Sequence, residues 1–301
     1  MVKGNEQVVR GEDTAAYEST LVWQPRNVKE AWSSKRKYGV DASFIAGGTL
    51  MQLQREQGIP FSRHLISLEK IDELKGIRYM DVEGETKLRI GALTTLTACE
   101  QELARHQPWT ILAEAARQVA SPAVRNRASI GGNVAYQIGD IIPALLALDA
   151  EISWFDGTSY HIESLCNYLQ KDNIEFEPIV TSFLLPLSPV SSKTMTFYKK
   201  VGRREAFIPS LVTVAAYCYW NSENEIEYIR LAAGGGETSP QRFTNCEQFL
   251  NGKVLTEDDL GILYEQVMEE FIAEADHFAS AHYRKTVAAN IIVSEFEKLI
   301  Y

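Results

Sequence analysis

No stretch of this 301-residue chain approaches the ~18–20 consecutive apolar residues of a membrane span. The first twenty residues are polar and mixed in charge, without the apolar core of a secretory leader. They read as a flexible arm (1–20) on a cytoplasmic protein with no membrane partner. Cysteine is sparse. Cys99, Cys166, Cys218 and Cys246 form no C-x-x-C pair, which argues against a zinc ribbon or an iron–sulfur cluster within the chain and for buried free thiols in a reducing compartment. Positive charge is in deficit: 30 Lys and Arg against 40 Asp and Glu leave a formal charge of −10. A nucleic-acid backbone needs a basic face, so no nucleic-acid partner is expected. The five histidines (His64, His106, His161, His277 and His282) lack metal-ligand spacing, and no metal site is expected.

What the chain does have is two Gly-Gly turns far apart. The first reads Phe44-Ile45-Ala46-Gly47-Gly48-Thr49-Leu50 and the second Ser129-Ile130-Gly131-Gly132-Asn133-Val134-Ala135, with Asp140 seven residues beyond Asn133. Each follows an apolar, strand-like run and sits beside a hydroxyl side chain. Without Cβ, glycine reaches φ > 0 and admits close approach to its backbone. Two such turns can aim convergent N–H groups at an anion, and a diphosphate is the natural guest. Taken singly, either could equally be a tight turn and nothing more.

Along the chain, Asn27 is set to cap a helix from Val28 that stops at Gly39. A buried strand at Ser43–Ala46 runs through the first turn into a helix carrying Leu50 and Leu53, and a strand at His64–Leu68 follows. Ile77–Val82 and Leu88–Ala92 read as paired strands across a Glu83-Gly84-Glu85 turn. Helices are expected at Thr95–Gln107, Trp109–Val119 and Ile141–Leu148, and strands at Glu151–Phe155 and Pro178–Leu185. Pro186–Ser192 is the natural linker. Three further strands (Thr196–Val201, Leu211–Trp220, Ile226–Ala232) precede helices at Cys246–Leu250, Asp258–Ala273 and Ala281–Leu299. Strands followed by helices make an α+β domain of about a hundred residues.

Four motifs occur in one order: Ala-Gly-Gly-Thr at 46–49, Arg-Asn-Arg-Ala-Ser-Ile-Gly-Gly-Asn at 125–133, Asp140-Ile-Ile-Pro143 running to Asp149-Ala, and Phe197-Tyr-Lys-Lys-Val-Gly-Arg-Arg-Glu205. Leu231-Ala-Ala-Gly-Gly-Gly236 and Ser280-Ala-His-Tyr-Arg284 echo later. Together they resemble the FAD-binding medium subunit of the molybdenum hydroxylases, of the xanthine dehydrogenase and carbon-monoxide dehydrogenase type. The resemblance implies an α+β protein: a two-lobed α/β FAD-binding domain of the PCMH type (21–188, lobes about 21–76 and 77–188) followed by a smaller α+β C-terminal domain (192–301) with a short antiparallel sheet and helices. It implies that Ile45, Ala46, Gly47, Gly48, Thr49 and Leu50 wrap the FAD diphosphate. Ser129, Gly131, Gly132 and Asn133 would form the opposing wall, Asp140 would hold ribityl hydroxyls, and Val180 would pack on the adenine side. Tyr198 and Lys199 would lie at the flavin, with Arg203, Arg204 and Glu205 on a nearby loop. The segment from Asn133 to Asp140 is shorter than the family spacing.

The implied activity is electron relay. An iron–sulfur small subunit with [2Fe-2S] clusters and a molybdopterin large subunit would deliver electrons to FAD in this chain, which passes them to NAD+ or another acceptor. The whole enzyme would act on xanthine or hypoxanthine. Rival readings are a stand-alone flavin oxidase and an assembly subunit that has lost FAD. Several residues also carry plainer readings: Asp140 as a cap for the helix at Ile141, Lys199 and Lys200 as solvated strand residues, Arg125 and Arg127 as strand neighbours in salt bridges, and Gly234–Gly236 as a turn.

Overall fold

The computed structural model describes residues 20–171, 177–187, 193–203 and 210–300. Residues 1–19 of the arm, residues 188–192 of the linker, and Arg204 and Glu205 lie outside them.

The first unit is a three-stranded parallel sheet, ordered β1-β3-β2, from β1 (Leu21–Trp23), β2 (Ala42–Ile45) and β3 (His64–Ser67). Helix α1 (Val28–Tyr38) starts where Asn27 accepts the Glu30 N–H and ends at Gly39, with φ 56°. Helix α2 (Thr49–Glu56) leaves β2 through the first Gly-Gly turn.

The second unit is a five-stranded antiparallel sheet, ordered β4-β5-β8-β6-β7. Its strands are β4 (Ile77–Val82), β5 (Glu85–Gly91), β6 (Glu151–Phe155), β7 (Tyr160–Ser164) and β8 (Ile179–Pro186). One face is covered by α3 (Leu96–Leu103), α4 (Thr110–Gln118) and α7 (Ile142–Ala147), whose apolar sides enclose Leu88, Ile90, Ile152 and Phe183. Short helices α5 (Pro122–Arg125), α6 (Ile130–Ala135) and α8 (Leu165–Leu169) fill the connections. The first unit docks on the second through Ile66, Ile71 and Leu74 against Phe155 and Ile179.

The third sheet, ordered β12-β11-β10-β9, is antiparallel and comprises β9 (Thr194–Gly202), β10 (Ser210–Trp220), β11 (Ile226–Gly235) and β12 (Thr238–Arg242). Helices α9 (Thr244–Leu250), α10 (Glu257–Glu270) and α11 (Ala281–Glu297) pack on one face. Val212, Val214 and Ala216 point into that core, whereas Ala215 and Tyr198 join the core of the second unit. Strand β10 is buried on both sides because the sheet is sandwiched between two helical layers.

Strands β7 and β12 and helices α5, α6 and α8 are not legible in the sequence; each is at most six residues long and lacks a full period of apolar alternation. Gly234 and Gly235 finish β11, and Gly236 (φ 63°) makes the hairpin turn against the buried Arg284 guanidinium. No described helix is long and apolar enough to cross a membrane. Cys99, Cys218 and Cys246 are buried free thiols, and Cys166 is half-buried.

Candidate functional site

The first turn is a display of backbone donors. Gly48 is the N-cap of α2 with φ 71°, in the left-handed region, and no side chain caps the helix. The leading N–H groups of a helix have no partner within it. Among the described residues, those of Gly47, Gly48 and Thr49 have no acceptor elsewhere. The segment from Ile45 to Leu50 is half-buried, so these donors sit in a partly shielded place.

The second turn lies directly against the first. A β-carbon at Gly47 would fall 1.9 Å from the carbonyl oxygen of Arg127, and the Arg127 guanidinium donates to the Gly47 carbonyl at 3.2 Å. Residues eighty apart in sequence therefore share one surface. The second turn itself differs from expectation. It is no strand-end loop but the start of α6, with Ser129 accepting the Gly132 N–H at 3.1 Å as N-cap. Its donors are already committed: Ile130 N–H to Thr94 O, Gly131 N–H to Ala92 O, Gly132 N–H to Ser129. The expectation that both turns aim free N–H groups at one anion is thereby corrected. Sequence can suggest the local Ser129 cap but not the other two acceptors, Thr94 and Ala92, which lie just beyond β5, some forty residues upstream.

What the second turn offers is shape. A β-carbon at Gly131 would strike Ala92 at 2.7 Å, so this glycine lets α6 pack on the strand end. Gly132 is exposed, and a β-carbon there would meet only Ser129 Oγ, at 3.2 Å. Asn133 folds back and accepts the Ile141 N–H at 3.3 Å, while Gly139 is crowded so closely against Asn133 that any side chain would collide with it. The short Asn133–Asp140 connection is thus a tight loop closed by the Asn133 amide.

That loop delivers Asp140 to the seam with the third sheet. Its carboxylate accepts from Lys200 Nζ at 2.7 Å and from the Ser210 hydroxyl at 2.5 Å, and its carbonyl accepts from the Tyr198 phenol at 2.9 Å. Asp140 does not cap a helix: α7 begins at Ile142 with no side-chain cap. Burial first, then the neighbouring carboxylates of Asp140 and Glu114, push the Tyr198 phenol well above its usual range and keep it neutral. Strand alternation puts Tyr198 and Lys200 on the face toward the second unit. Lys200 is not a solvated residue; its side chain is 10% exposed and also donates to Gln118 O. Lys199, one position away, is half-exposed and pairs with Glu295 of α11 at 3.3 Å. Lys200 and Ser210 are the site neighbours that the sequence pattern does not flag.

Among the remaining residues singled out from sequence, Val180 is buried at the start of β8, opposite Trp154. Arg203 stacks on Phe278. Arg125 and Arg127 do not share a strand. Arg125 ends α5, donates to the carbonyls of Val119 and Ala120 and pairs with Glu100, and Arg127 reaches the first turn.

A parallel unit and an antiparallel unit meet at a turn of unpartnered backbone donors, and a third sheet packs on the second. The chain belongs to the family whose model is described as the FAD binding domain in molybdopterin dehydrogenase, which matches residues 15–188. Residues 196–299 match the CO dehydrogenase flavoprotein C-terminal domain. The chain is 26% identical over 249 residues to the xanthine dehydrogenase FAD-binding subunit of Escherichia coli O157:H7, covering 81% of this chain and 83% of that one. It is 29% identical over 273 residues to the nicotinate dehydrogenase FAD-subunit of Eubacterium barkeri, covering 81% and 85%. In fold it superposes on a chain of the reconstituted CO dehydrogenase from Oligotropha carboxidovorans with a TM-score of 0.82 and 23% identity, over 93% of this chain and 96% of that one. The protein is an FAD-binding subunit of the molybdenum-hydroxylase family, and its class is oxidoreductase.

Proposed function

We propose that FAD lies with its diphosphate on the first glycine turn and that this chain relays electrons within a xanthine dehydrogenase-like complex. The observation that carries the reading is the set of unpartnered N–H groups at Gly47, Gly48 and Thr49, at the N-terminus of α2 and against the second turn. Backbone donors and a helix N-terminus meet phosphate charge without a buried cation. The residues present fit the group. Ile45, Ala46 and Leu50 flank the donors. Gly132 leaves open the space a side chain would fill, and Ser129 retains a hydroxyl proton to donate.

Asp140 has lone pairs beyond those used by Lys200 and Ser210, since a carboxylate accepts about four hydrogen bonds; these suit ribityl hydroxyls. Asn133 holds the loop that positions Asp140, and Val180 supplies an apolar wall for the adenine. Tyr198, kept neutral, orients the Asp140 backbone. Lys199, half-exposed on the face of β9 opposite Lys200 and paired with Glu295, is the cation we assign to the ring system, where it would favour negative charge. FAD, when bound, supplies the redox chemistry. The chain's own part is to bind it, hold its orientation and set the local charge.

The electron donors we assign are [2Fe-2S] clusters in an iron–sulfur small subunit, fed by a molybdopterin large subunit that oxidises a xanthine-like purine. The acceptor is NAD+ or an equivalent. The names of the similar proteins and the four isolated cysteines of this chain support that division of labour.

The test is Gly132→Val in the purified protein. A branched side chain at this exposed position leaves the core untouched, so the fold should persist while the flavin absorbance is lost. A variant that keeps its full FAD complement would remove the second turn from the site. Co-purification with two neighbours, followed by iron and molybdenum counting, tests the partners.

A further inference from the structure

The five-stranded sheet has a second face, turned away from α3, α4 and α7, which holds a cavity of about 170 Å³. None of its lining residues belongs to either glycine turn. Its walls are apolar where Met80, Tyr160, Ile162 and Leu184 contribute, and Tyr160 and Ile162 are each 51% exposed at the mouth, on edge strand β7. Its floor is polar. Arg89 is only 8% exposed and Ser182 only 4%.

Arg89 is incompletely satisfied. Its Nη2 donates to Glu73 O at 2.6 Å, but its buried Nη1 has no hydrogen-bond partner. A buried guanidinium donor left without an acceptor is costly. Arg78 stands directly across from it in the β4–β5 register, and like charges so placed repel. Arg78 makes no ion pair among the described residues. Glu73 also lines the cavity, but its carboxylate makes no ion pair with Arg89 among the described residues and instead accepts the Val28 N–H at the start of α1, at 3.1 Å. Burial and then Arg78 lower the Arg89 pKa, and Glu73 offsets this only in part. The Thr181 hydroxyl donates to Ser153, with Oγ at 2.9 Å, whereas the Ser182 hydroxyl has no partner among the described residues.

We propose that this cavity binds a small carboxylate with a short apolar body, its carboxylate taken by Arg89 Nη1 and the Ser182 hydroxyl and its chain lying among Met80, Ile162 and Leu184. An anion at that point supplies the missing acceptor and screens the Arg78–Arg89 repulsion. The apolar walls reject a fully hydrated ion, so the site selects for a carbon body. The assignment is independent of the flavin reading.

Titration calorimetry of the purified full-length chain decides it, with butyrate as the probe and acetate and inorganic phosphate as comparisons. Butyrate should bind at one site about tenfold more tightly than acetate, since it buries two further methylenes at ~0.8 kcal/mol each. Phosphate should bind no more tightly than acetate. Arg89→Met should weaken butyrate at least ~10-fold, the loss expected for a hydrogen bond to a charged group. Ile162→Glu, at an exposed position, places a like charge at the mouth and should weaken it similarly while FAD content stays at the wild-type level. If Arg89→Met does not fold, Ile162→Glu carries the test. Absence of saturable butyrate binding, phosphate binding more tightly than butyrate, or unchanged affinity in the folded variants would each overturn the assignment.

Discussion

Two Gly-Gly turns that look alike in sequence do different work. In each, one glycine permits a close approach of backbone: Gly47 to Arg127, Gly131 to Ala92. The other glycine stays at the surface, Gly48 with a left-handed φ and Gly132 with open space beyond Ser129. The turns part company in their donors. The first leaves N–H groups free at the head of α2, and the second commits its own to Thr94, Ala92 and Ser129. The first turn can attract an anion with free backbone donors; the second has committed its backbone and offers the shape of the space and the Ser129 hydroxyl. A glycine pair therefore reports that backbones come close, not which of them still has a hydrogen bond to give.

The second turn is also tethered, through Asn133 and the tight loop at Gly139, to the Asp140 seam; the first is not. Removing the end of that tether should produce the largest effect. Asp140→Ala leaves Lys200 buried without its partner, at a cost of about 3–5 kcal/mol, measurable by urea unfolding. The double variant Asp140→Ala/Lys200→Met should recover most of that loss. A single variant as stable as the wild type would show that the seam does not depend on the pair.

Gly47→Ala comes next. Its methyl must push the two turns apart, for roughly 1–3 kcal/mol and a clear loss of flavin affinity. Gly132→Val should instead lose flavin at little cost in stability, and equal destabilisation by both would erase the distinction drawn between packing and surface glycines.

Ser129→Ala removes a helix cap worth ~1 kcal/mol and frees the Gly132 N–H. If the second wall acts by shape alone, flavin affinity should fall only as far as the helix frays. Thermal unfolding and flavin titration on the same preparation separate the two effects.

Lys199→Ala is the smallest. Its half-exposed pair with Glu295 is worth under ~1 kcal/mol, so the fold and flavin content should hold while the midpoint potential of the bound flavin shifts. An unaltered redox titration would take Lys199 out of the site.

Much of the fold is legible in the order of residues. Helix α1 is bracketed by Asn27 and Gly39, a cap and a stop whose chemistry is local. Strands β4 and β5 announce themselves by apolar residues on either side of a polar turn with Gly84 in it, and the 3.6-residue periodicity of α4 needs no partner to be seen. The ordered motifs place the chain in its family. The roles of Asp140, Lys200 and Arg89 are not legible there, because each depends on an atom contributed from far away: Ser210 to Asp140, Gln118 to Lys200, Glu73 to Arg89.

Local order along the chain is thus enough for every element whose causes lie within a few residues: caps, turns, amphipathic stripes, and the glycines that let one backbone meet another. The folded arrangement alone settles which of two adjacent lysines faces the second unit, which glycine turn keeps its donors, and where an arginine is buried short of a partner. The reason is geometric. Side chains alternate across a strand with a period of two, so a single-residue step in register exchanges the inner and outer faces. That register is set by pairing with distant strands.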